Sequence, residues 1–355
     1  MQTSMSVRRG QRGFALVTAG GCAIVVVAML GLAVDLGRIY IAKNEAQAYA
    51  DSAALDGVRD LDGTSDGLQR ARDAVSGSSN RAQLGSVLFS GTSVEFSTAA
   101  TGPWETNPAS ATNYIYLRVS ANTPVRSYFM PIVGAADSSQ VRASAVAGQI
   151  QKTDYKEGSF PFSPLAHSTE EPDFGLTRGQ KYTLRWAANP KVNVNTCAGD
   201  NDDTWIDQAE AGGGSERGYI EETSSALIRE AIESDYMSTP LEVGDSVNMT
   251  GGAKQTQKDS IQTRVAQDTN PTAATYQDYI NSGTGNGRRL IVVPINTYHP
   301  NYTILGFRAF FLLPASEYVS SGNSAFCAEY VGSYLQGAKN RGGGLSGAFV
   351  PRLVQ

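Results

Sequence analysis

The stretch GFALVTAGGCAIVVVAMLGLAVDLGRIYIAKNEAQAYADSAALDG, residues Gly13 to Gly57, decides the architecture of the chain. Its first half, from Phe14 to Val34, contains no charged residue over 21 positions. A helix of that length measures about 31 Å, which matches the hydrocarbon thickness of a bilayer. The run is longer than the apolar core of a cleaved signal peptide, so it predicts a retained membrane-spanning helix.

The helical pattern continues after the first charge, Asp35. Small and apolar residues recur near the helical period for about twenty more positions, with polar residues between them. The glycines of LDGTSDG, residues 61–67, then end the pattern. We therefore expect one rod over residues 14–60 that begins in lipid and continues as a stalk. Such a rod would lift a domain off the membrane or lie beside other rods.

Charge indicates the orientation of this rod and excludes one class of partner. Arg8, Arg9 and Arg12 precede the apolar run without any acidic residue, which predicts a cytoplasmic N-terminus and an exported body. The chain has a net charge of −5, and these arginines contribute +3, so the remainder carries −8. An acidic body argues against nucleic acid as a partner. The apolar run makes the lipid bilayer the first expected partner.

A stripe of small residues lies within the apolar run. Ala15, Ala19 and Ala23 follow one another at four-residue spacing, which lets helices approach closely in lipid. This spacing favours self-association, and thus a homo-oligomer, through the N-terminal helix. The alternative is that alanine is simply frequent in membrane helices.

Two stretches resemble a known family. The basic lead RRGQRG, the apolar run, AVDLGRIYIAKNEAQ and ADSAALDG resemble the N-terminal segment of TadG/TadE-like Flp pilus-assembly proteins. Residues 114–148, which end in VRASAVAG, look like the strand-rich end of the same module. Gly13–Phe14 also looks like a prepilin cleavage junction, but Thr18 stands where prepilins have Glu, so we do not expect cleavage.

The resemblance implies a bacterial envelope protein of the tight-adherence (Tad) secretion and pilus system with no enzyme activity of its own. Its partners would be other Tad/Flp pilus-assembly or pilin subunits. We expect a single-pass inner-membrane protein with a periplasmic or extracellular body, a non-enzymatic envelope component or minor pilin-like subunit. The alternative from another class is a surface adhesion or binding module on a membrane stalk.

The expected fold class is α+β, with a long N-terminal transmembrane and stalk helix followed by exported β-rich and α+β domains. The strongest predicted strands are RRLIVVPIN and TILGFRAFFLLPA, which are apolar enough to be central in a sheet. A helix is predicted over residues 215–234. The expected divisions are a cytoplasmic basic lead (1–13), the transmembrane and stalk helix (14–60), a small β-rich domain (61–150) and an extracytoplasmic α+β domain (151–355).

Three cysteines bear on the compartment. Cys22 lies in the apolar run, whereas Cys197 and Cys327 lie in the body, where an exported protein would pair them. Closing this loop of about 130 residues would stabilise the fold by about 5 kcal/mol in the chain-entropy model. The alternative is two separate buried thiols.

An acidic loop is the best metal candidate in the sequence. DNDDTWIDQAE, residues 200–210, supplies hard oxygen ligands that suit Ca²⁺. The EF-hand pattern fails, because its sixth position is Trp205 rather than glycine. A solvated acidic loop is the preferred interpretation, and no cofactor other than this weak calcium candidate is expected. The candidate ligands are Asp200, Asp202, Asp203 and Asp207.

An enzyme is a minor alternative. His299, Cys327 and Arg341 occur in the order used by sortase-type transpeptidases, but the local motifs of that family are missing. In addition, Cys327 cannot be both a disulfide partner and a thiolate nucleophile. The glycines of residues 212–214 lack the Lys-Ser/Thr of a phosphate-binding loop, so they predict a hinge or a tight turn.

Overall fold

The computed structural model describes residues 11–78, 81–82, 87–89, 91–191, 195–210, 216–220, 224–234, 236–252, 257–298, 300–319, 324–335 and 345–354. A long N-terminal helix and two main β-sheets organise this part of the chain, which confirms the α+β class. The α-helices are α1 (Gln11–Gly57), α2 (Ser65–Gly77), α3 (Asp203–Glu210), α4 (Ser225–Ser234), α5 (Gln257–Ala266) and α6 (Tyr276–Ser282).

Short 3-10 helices lie at Val58–Asp60, Met130–Val133, Ala198–Asp200 and Ala315–Glu317. The strands are β1 (Arg81–Ala82), β2 (Val87–Leu88), β3 (Ser93–Ser97), β4 (Tyr116–Arg126), β5 (Ser138–Gln151), β6 (Asp154–Glu157), β7 (Lys181–Arg185), β8 (Glu216–Ile220), β9 (Tyr236–Glu242), β10 (Met249–Gly251), β11 (Leu290–Asn296), β12 (Ile304–Leu312), β13 (Phe326–Tyr330), β14 (Ser333–Leu335) and β15 (Gly347–Val354).

The second half of α1 packs lengthwise on a five-stranded sheet with the order β14-β15-β5-β4-β3. In β4 and β5, alternate residues are buried against the helix, as the period of two in their sequences predicts. The helix meets them with small residues, so its backbone can lie close to the sheet. This core includes Ala42, Ala46, Ala50, Ala53, Leu117, Val119, Ala121, Val141, Ala143 and Ala145.

Polar side chains of α1 cover an edge of the same sheet. Lys43 Nζ donates a hydrogen bond to the carbonyl of Arg142, and Gln47 Nε2 donates one to the carbonyl of Ser144 at 3.2 Å. The spacings match, because four helical residues rise about 6.0 Å and two strand residues about 6.6 Å. Strand β15 pairs with residues 146–151 of β5. Over residues 142–144 of β5, side chains of α1 bond the carbonyls on that edge instead.

The second half of α1 is therefore not a free-standing stalk. The sequence interpretation had this segment lifting a domain off the membrane, but Ala42, Ala46 and Ala50 have no solvent-exposed surface. Their burial depends on sheet residues between 116 and 151, which lie far along the chain. The sequence of the helix alone therefore does not predict that burial. The body consequently begins directly at the end of the apolar run.

Four strands between residues 181 and 330 form a second sheet with the order β11-β12-β13-β7, in which all neighbours are antiparallel. Helices α4 and α5 pack on one face and α6 on the other. The prediction of a central strand is confirmed for β12. Strand β11 lies at the end of this order instead, where Phe160 N donates to Val292 O at 2.8 Å and covers its outer side.

One predicted element is wrong in part. The helix expected over residues 215–234 begins at Ser225, and Glu216–Ile220 forms β8, which pairs with β10. Gly218 explains the difference, because it has φ +87° and lies so close to Leu184 that a Cβ atom would come within 2.4 Å of the Leu184 carbonyl oxygen. A helical pattern of apolar residues does not reveal such a close backbone approach.

The C-terminal part of the chain links the two sheets, because it leaves the second sheet and adds strands to the first. Strand β15 lies between β14 and β5 and pairs antiparallel with β5, from Phe349 with Gln151 to Val354 with Val146. Residues of the 151–355 range thus complete the sheet of the 61–150 range. The division of the chain into domains stays a prediction, and the shared sheet joins its last two parts.

Gln149 of β5 fixes the end of the long helix to the sheet. Its buried amide Nε2 donates to the carbonyls of Val58 and Leu61, at 2.9 and 2.6 Å, just after α1 ends. The carbonyls after a helix end lack intrahelical partners, so this side chain supplies the missing donors.

We expect Gln149→Ala to destabilise the protein by about 1–3 kcal/mol, because two buried carbonyls lose their donor. The urea midpoint of the detergent-solubilised protein would measure this change. Gln140→Ala is the matched control, since Gln140 is an exposed residue of the same strand. Equal midpoints for the two variants would contradict the assigned role of Gln149.

Candidate membrane interface

The first half of α1 is an uncovered apolar surface. Large apolar side chains between Phe14 and Val34 expose 41–77% of their area. Within the described part of the chain, α1 is the one helix long and apolar enough to cross a membrane, by length and composition. A continuous apolar band of this kind requires lipid or other apolar helices around it. These features fit a membrane-anchored protein.

Asp35, the first charge after the band, binds the connection between β4 and β5. Its carboxylate accepts hydrogen bonds from three consecutive backbone N–H groups, those of Tyr128, Phe129 and Met130, at 2.8–3.1 Å. These groups begin the 3-10 helix Met130–Val133, so a carboxylate from another element caps it. The side chain of Asp35 is buried by this arrangement.

We call residues 127–136, SYFMPIVGAA, the hairpin tip. The tip lies against the apolar half of α1, because the ring of Phe129 occupies the space beside Gly31. A Cβ atom on Gly31 would come within 2.5 Å of that ring. Phe129 and Ile132 also line an apolar hollow of about 280 Å³ whose other wall is formed by Ala23, Ile24, Val27 and Ala28.

Two arginines and one tyrosine lie where the tip joins the body. The guanidinium of Arg38 is 4.3 Å from the ring centre of Tyr128, and that of Arg126 is 5.9 Å from it. Arg38 is one helical turn beyond Asp35. Aromatic and basic side chains of this kind favour the boundary between lipid and water.

Sequence patterns alone reveal neither the tip nor the role of Asp35. A signal was present, because ten residues without charge separate the two most clearly alternating strands. The partner of the tip, however, lies 93 residues away for the pair Asp35 and Tyr128. A contact at that separation cannot be read from either segment alone.

The predicted disulfide is confirmed. Cys197 and Cys327 are bonded with a Cα–Cα distance of 5.8 Å and a separation of 130 residues. Cys22 is free and exposed on α1. The bond ties the loop before α3 to β13, and Cys197 N also donates to Thr183 Oγ1 of β7 at 3.2 Å.

The acidic loop beside this disulfide holds a histidine. Asp200 is buried, its Oδ1 lies 2.7 Å from His167 Nε2, and its Oδ2 accepts a hydrogen bond from Thr183 N. Burial of the imidazole lowers the pKa of His167, but the hydrogen bond to Asp200 and the charges of Asp200 and Asp202 raise that pKa on balance. The hydrogen bond between His167 and Asp200 thus holds the loop to the segment before β7.

The four candidate calcium ligands do not converge on one point. Asp202 accepts a hydrogen bond from Trp205 N at 2.7 Å in the first turn of α3, and Asp203 and Asp207 lie along that helix. Among the described residues, no group of three or more His, Cys, Asp or Glu side chains is placed to hold a metal ion. A calcium site in this loop stays a prediction.

The sortase-like alternative loses its nucleophile, because the sulfur of Cys327 is bonded to Cys197. His299 and Arg341, its other two residues, lie outside the described residues, as do the glycines of residues 212–214.

The helix-packing alanines lie on the apolar half of α1. Ala15 and Ala19 are exposed, Ala23 lines the hollow, and their self-association stays a prediction.

The N-terminal segment is similar to a known protein family. Residues 13–60 match the model of a family described as putative Flp pilus-assembly TadE/G-like. This segment is the whole of the apolar band together with the buried half of α1. No curated protein and no solved structure matches the chain. The TadE/G-like resemblance is thus confirmed over this helix.

We expect Asp35→Asn to loosen the hairpin tip, because the amide offers one acceptor and no charge to three N–H donors. Hydrogen exchange of the Tyr128, Phe129 and Met130 amides should become about tenfold faster or more. Mass spectrometry of the nanodisc-embedded protein would measure it. Asp51→Asn, on the same helix but bonded to Gln47, is the control, and equal exchange in both variants would contradict the assignment.

Loss of the disulfide should lower the stability of the body by about 5 kcal/mol, since the unfolded chain regains the freedom of a 130-residue loop. The comparison is between Cys327→Ser and Cys22→Ser in urea unfolding under non-reducing conditions. Cys22→Ser removes a free thiol and should leave the midpoint unchanged. A common midpoint would show that the bond contributes nothing.

Proposed function

We propose that this chain is a non-enzymatic, membrane-anchored component of a Tad/Flp-type pilus-assembly or secretion machine. It would serve as an envelope component or a minor pilin-like subunit. The match of residues 13–60 to the TadE/G-like family is the observation that carries this proposal. Its partners would be the bilayer and the helices of other pilus-assembly or pilin subunits.

The structure of the matched helix supports a mechanical role. Its buried half belongs to the core of the body, and its apolar half is uncovered. One rigid element therefore joins the anchor to the sheet, so a displacement of the anchor within the membrane moves the body with it. The stripe of Ala15, Ala19 and Ala23 lies on the uncovered half, where a second helix could approach closely.

Two independent features support an exported body. The basic lead before the apolar run favours a cytoplasmic N-terminus and an exported body. The bond between Cys197 and Cys327 is typical of proteins outside the reducing cytoplasm. We therefore place the body on the periplasmic or extracellular side of the inner membrane.

Deletion of the gene in the bacterium that encodes it tests the proposal. We expect pili to be lost from the sheared surface fraction, and the wild-type gene to restore them. A second complementing variant replaces residues 14–30 with a polyleucine segment of equal length. This variant should remain in the membrane but restore few pili, because the small-residue surface of the helix is gone.

The outcomes separate the alternatives. Normal pili combined with lost surface attachment would contradict the assembly role and favour the adhesion module. Full restoration by the polyleucine variant would show that the helix acts as a plain anchor, which contradicts a pilin-like packing role and leaves the envelope role.

A further inference from the structure

The hairpin tip has an unusual composition for a connection between two strands. Between Arg126 and Asp137 it carries no charged residue. Its Tyr128 and Ile132 side chains are 52% and 77% exposed, and that of Phe129 is 37% exposed. Connections in water are normally polar. A tip that exposes these side chains is adapted to an apolar surrounding.

The level of the tip along α1 identifies that surrounding. The ring of Phe129 packs at Gly31, and Phe129 and Ile132 face the helix back to Ala23 across the apolar hollow. Ala23 lies 12 residues before Asp35. This distance is about 18 Å along the helix axis. When residues 14–34 span the bilayer, the contacted part of α1 occupies the half of the bilayer nearer the body. The tip must then lie at the same depth.

The backbone of the tip is prepared for a medium without water. Hydrocarbon penalises every unpaired N–H group. The N–H groups of residues 128–130 donate to Asp35, and Pro131 has none. Ile132 N donates to Phe129 O, Gly134 N to Pro131 O and Ala135 N to Met130 O, all at 3.0–3.1 Å. These bonds lower the cost of placing this stretch of backbone in hydrocarbon.

The ring of Tyr128 with Arg38 and Arg126 marks the upper limit of insertion. These side chains prefer the headgroup level, and they lie where the tip joins the body. Below them the exposed surface of the tip is continuous with the uncovered surface of α1. The same solvent therefore covers both.

We propose that the hairpin tip is a second membrane-inserted element, with lipid acyl chains of the leaflet nearer the body as its partner. This inference rests on the proposed membrane anchoring through α1. The inserted tip would hold the body at a fixed height and fix the rotation of α1 about its own axis. Asp35 would hold the tip against the helix.

Site-directed fluorescence quenching tests the inference on the full chain. The Cys22→Ser protein, with its disulfide intact, receives one new cysteine that is labelled with the environment-sensitive dye NBD. Ile132→Cys reports the tip, Val27→Cys the helix, and Ala109→Cys an exposed body loop. Each protein is reconstituted in vesicles of phosphatidylethanolamine and phosphatidylglycerol with nitroxide groups on their acyl chains.

We expect the dye at positions 132 and 27 to show blue-shifted emission and to be quenched by the acyl-chain nitroxides. The dye at position 109 should be quenched by aqueous iodide instead. Quenching at 27 with a water-like signal at 132 would overturn tip insertion while leaving membrane anchoring intact. A water-like signal at 27 as well would overturn the anchoring itself.

Two further results decide the occupant and the contact. If position 132 is shielded from both quenchers, protein covers the tip, either a second copy or a pilin helix, and the lipid assignment is overturned. Gly31→Leu should displace Phe129 and reduce nitroxide quenching at 132. Gly21→Leu, which has no atom within 4 Å of its Cβ position, should not. An unchanged signal in Gly31→Leu would overturn the proposed packing.

Discussion

The carboxylate of Asp35 is the point on which the arrangement of membrane segment and body depends. It receives three backbone N–H groups from a hairpin 93 to 95 residues later in the chain. A carboxylate that accepts several backbone hydrogen bonds is a strong and directional partner. Since Asp35 immediately follows the uncharged run, this one interaction places the hairpin at the level where the apolar surface ends.

A single face of α1 runs through both environments. Gly31, Asp35, Ala42 and Ala46 follow one another at helical spacing and are all buried. The first two meet the hairpin tip and the last two meet the sheet from which the same hairpin extends. One hairpin, from its strands to its tip, lies against this face of α1. Small residues on that face allow the close approach.

The features that the sequence predicted are those encoded within one segment. The apolar run and the helical period after Asp35 predicted α1, the resemblance of residues 114–148 implied the strands β4 and β5, and the two cysteines of the body predicted the Cys197–Cys327 bond. Each of these patterns carries its own physical reason, such as bilayer thickness or pleat geometry. The acidic loop carries no such constraint. Its Asp200 is held by His167 and Thr183, which no pattern in the sequence brings together.

Strand β15 has a consequence for the order in which the fold can become complete. Its partner β5 is made about two hundred residues earlier, as the pairing of Gln151 with Phe349 shows. The long helix and the first hairpin can associate early, whereas the edge of β5 stays unpaired until residues 347–354 are present. A truncated product would thus display an unpaired sheet edge, the kind of surface that promotes aggregation.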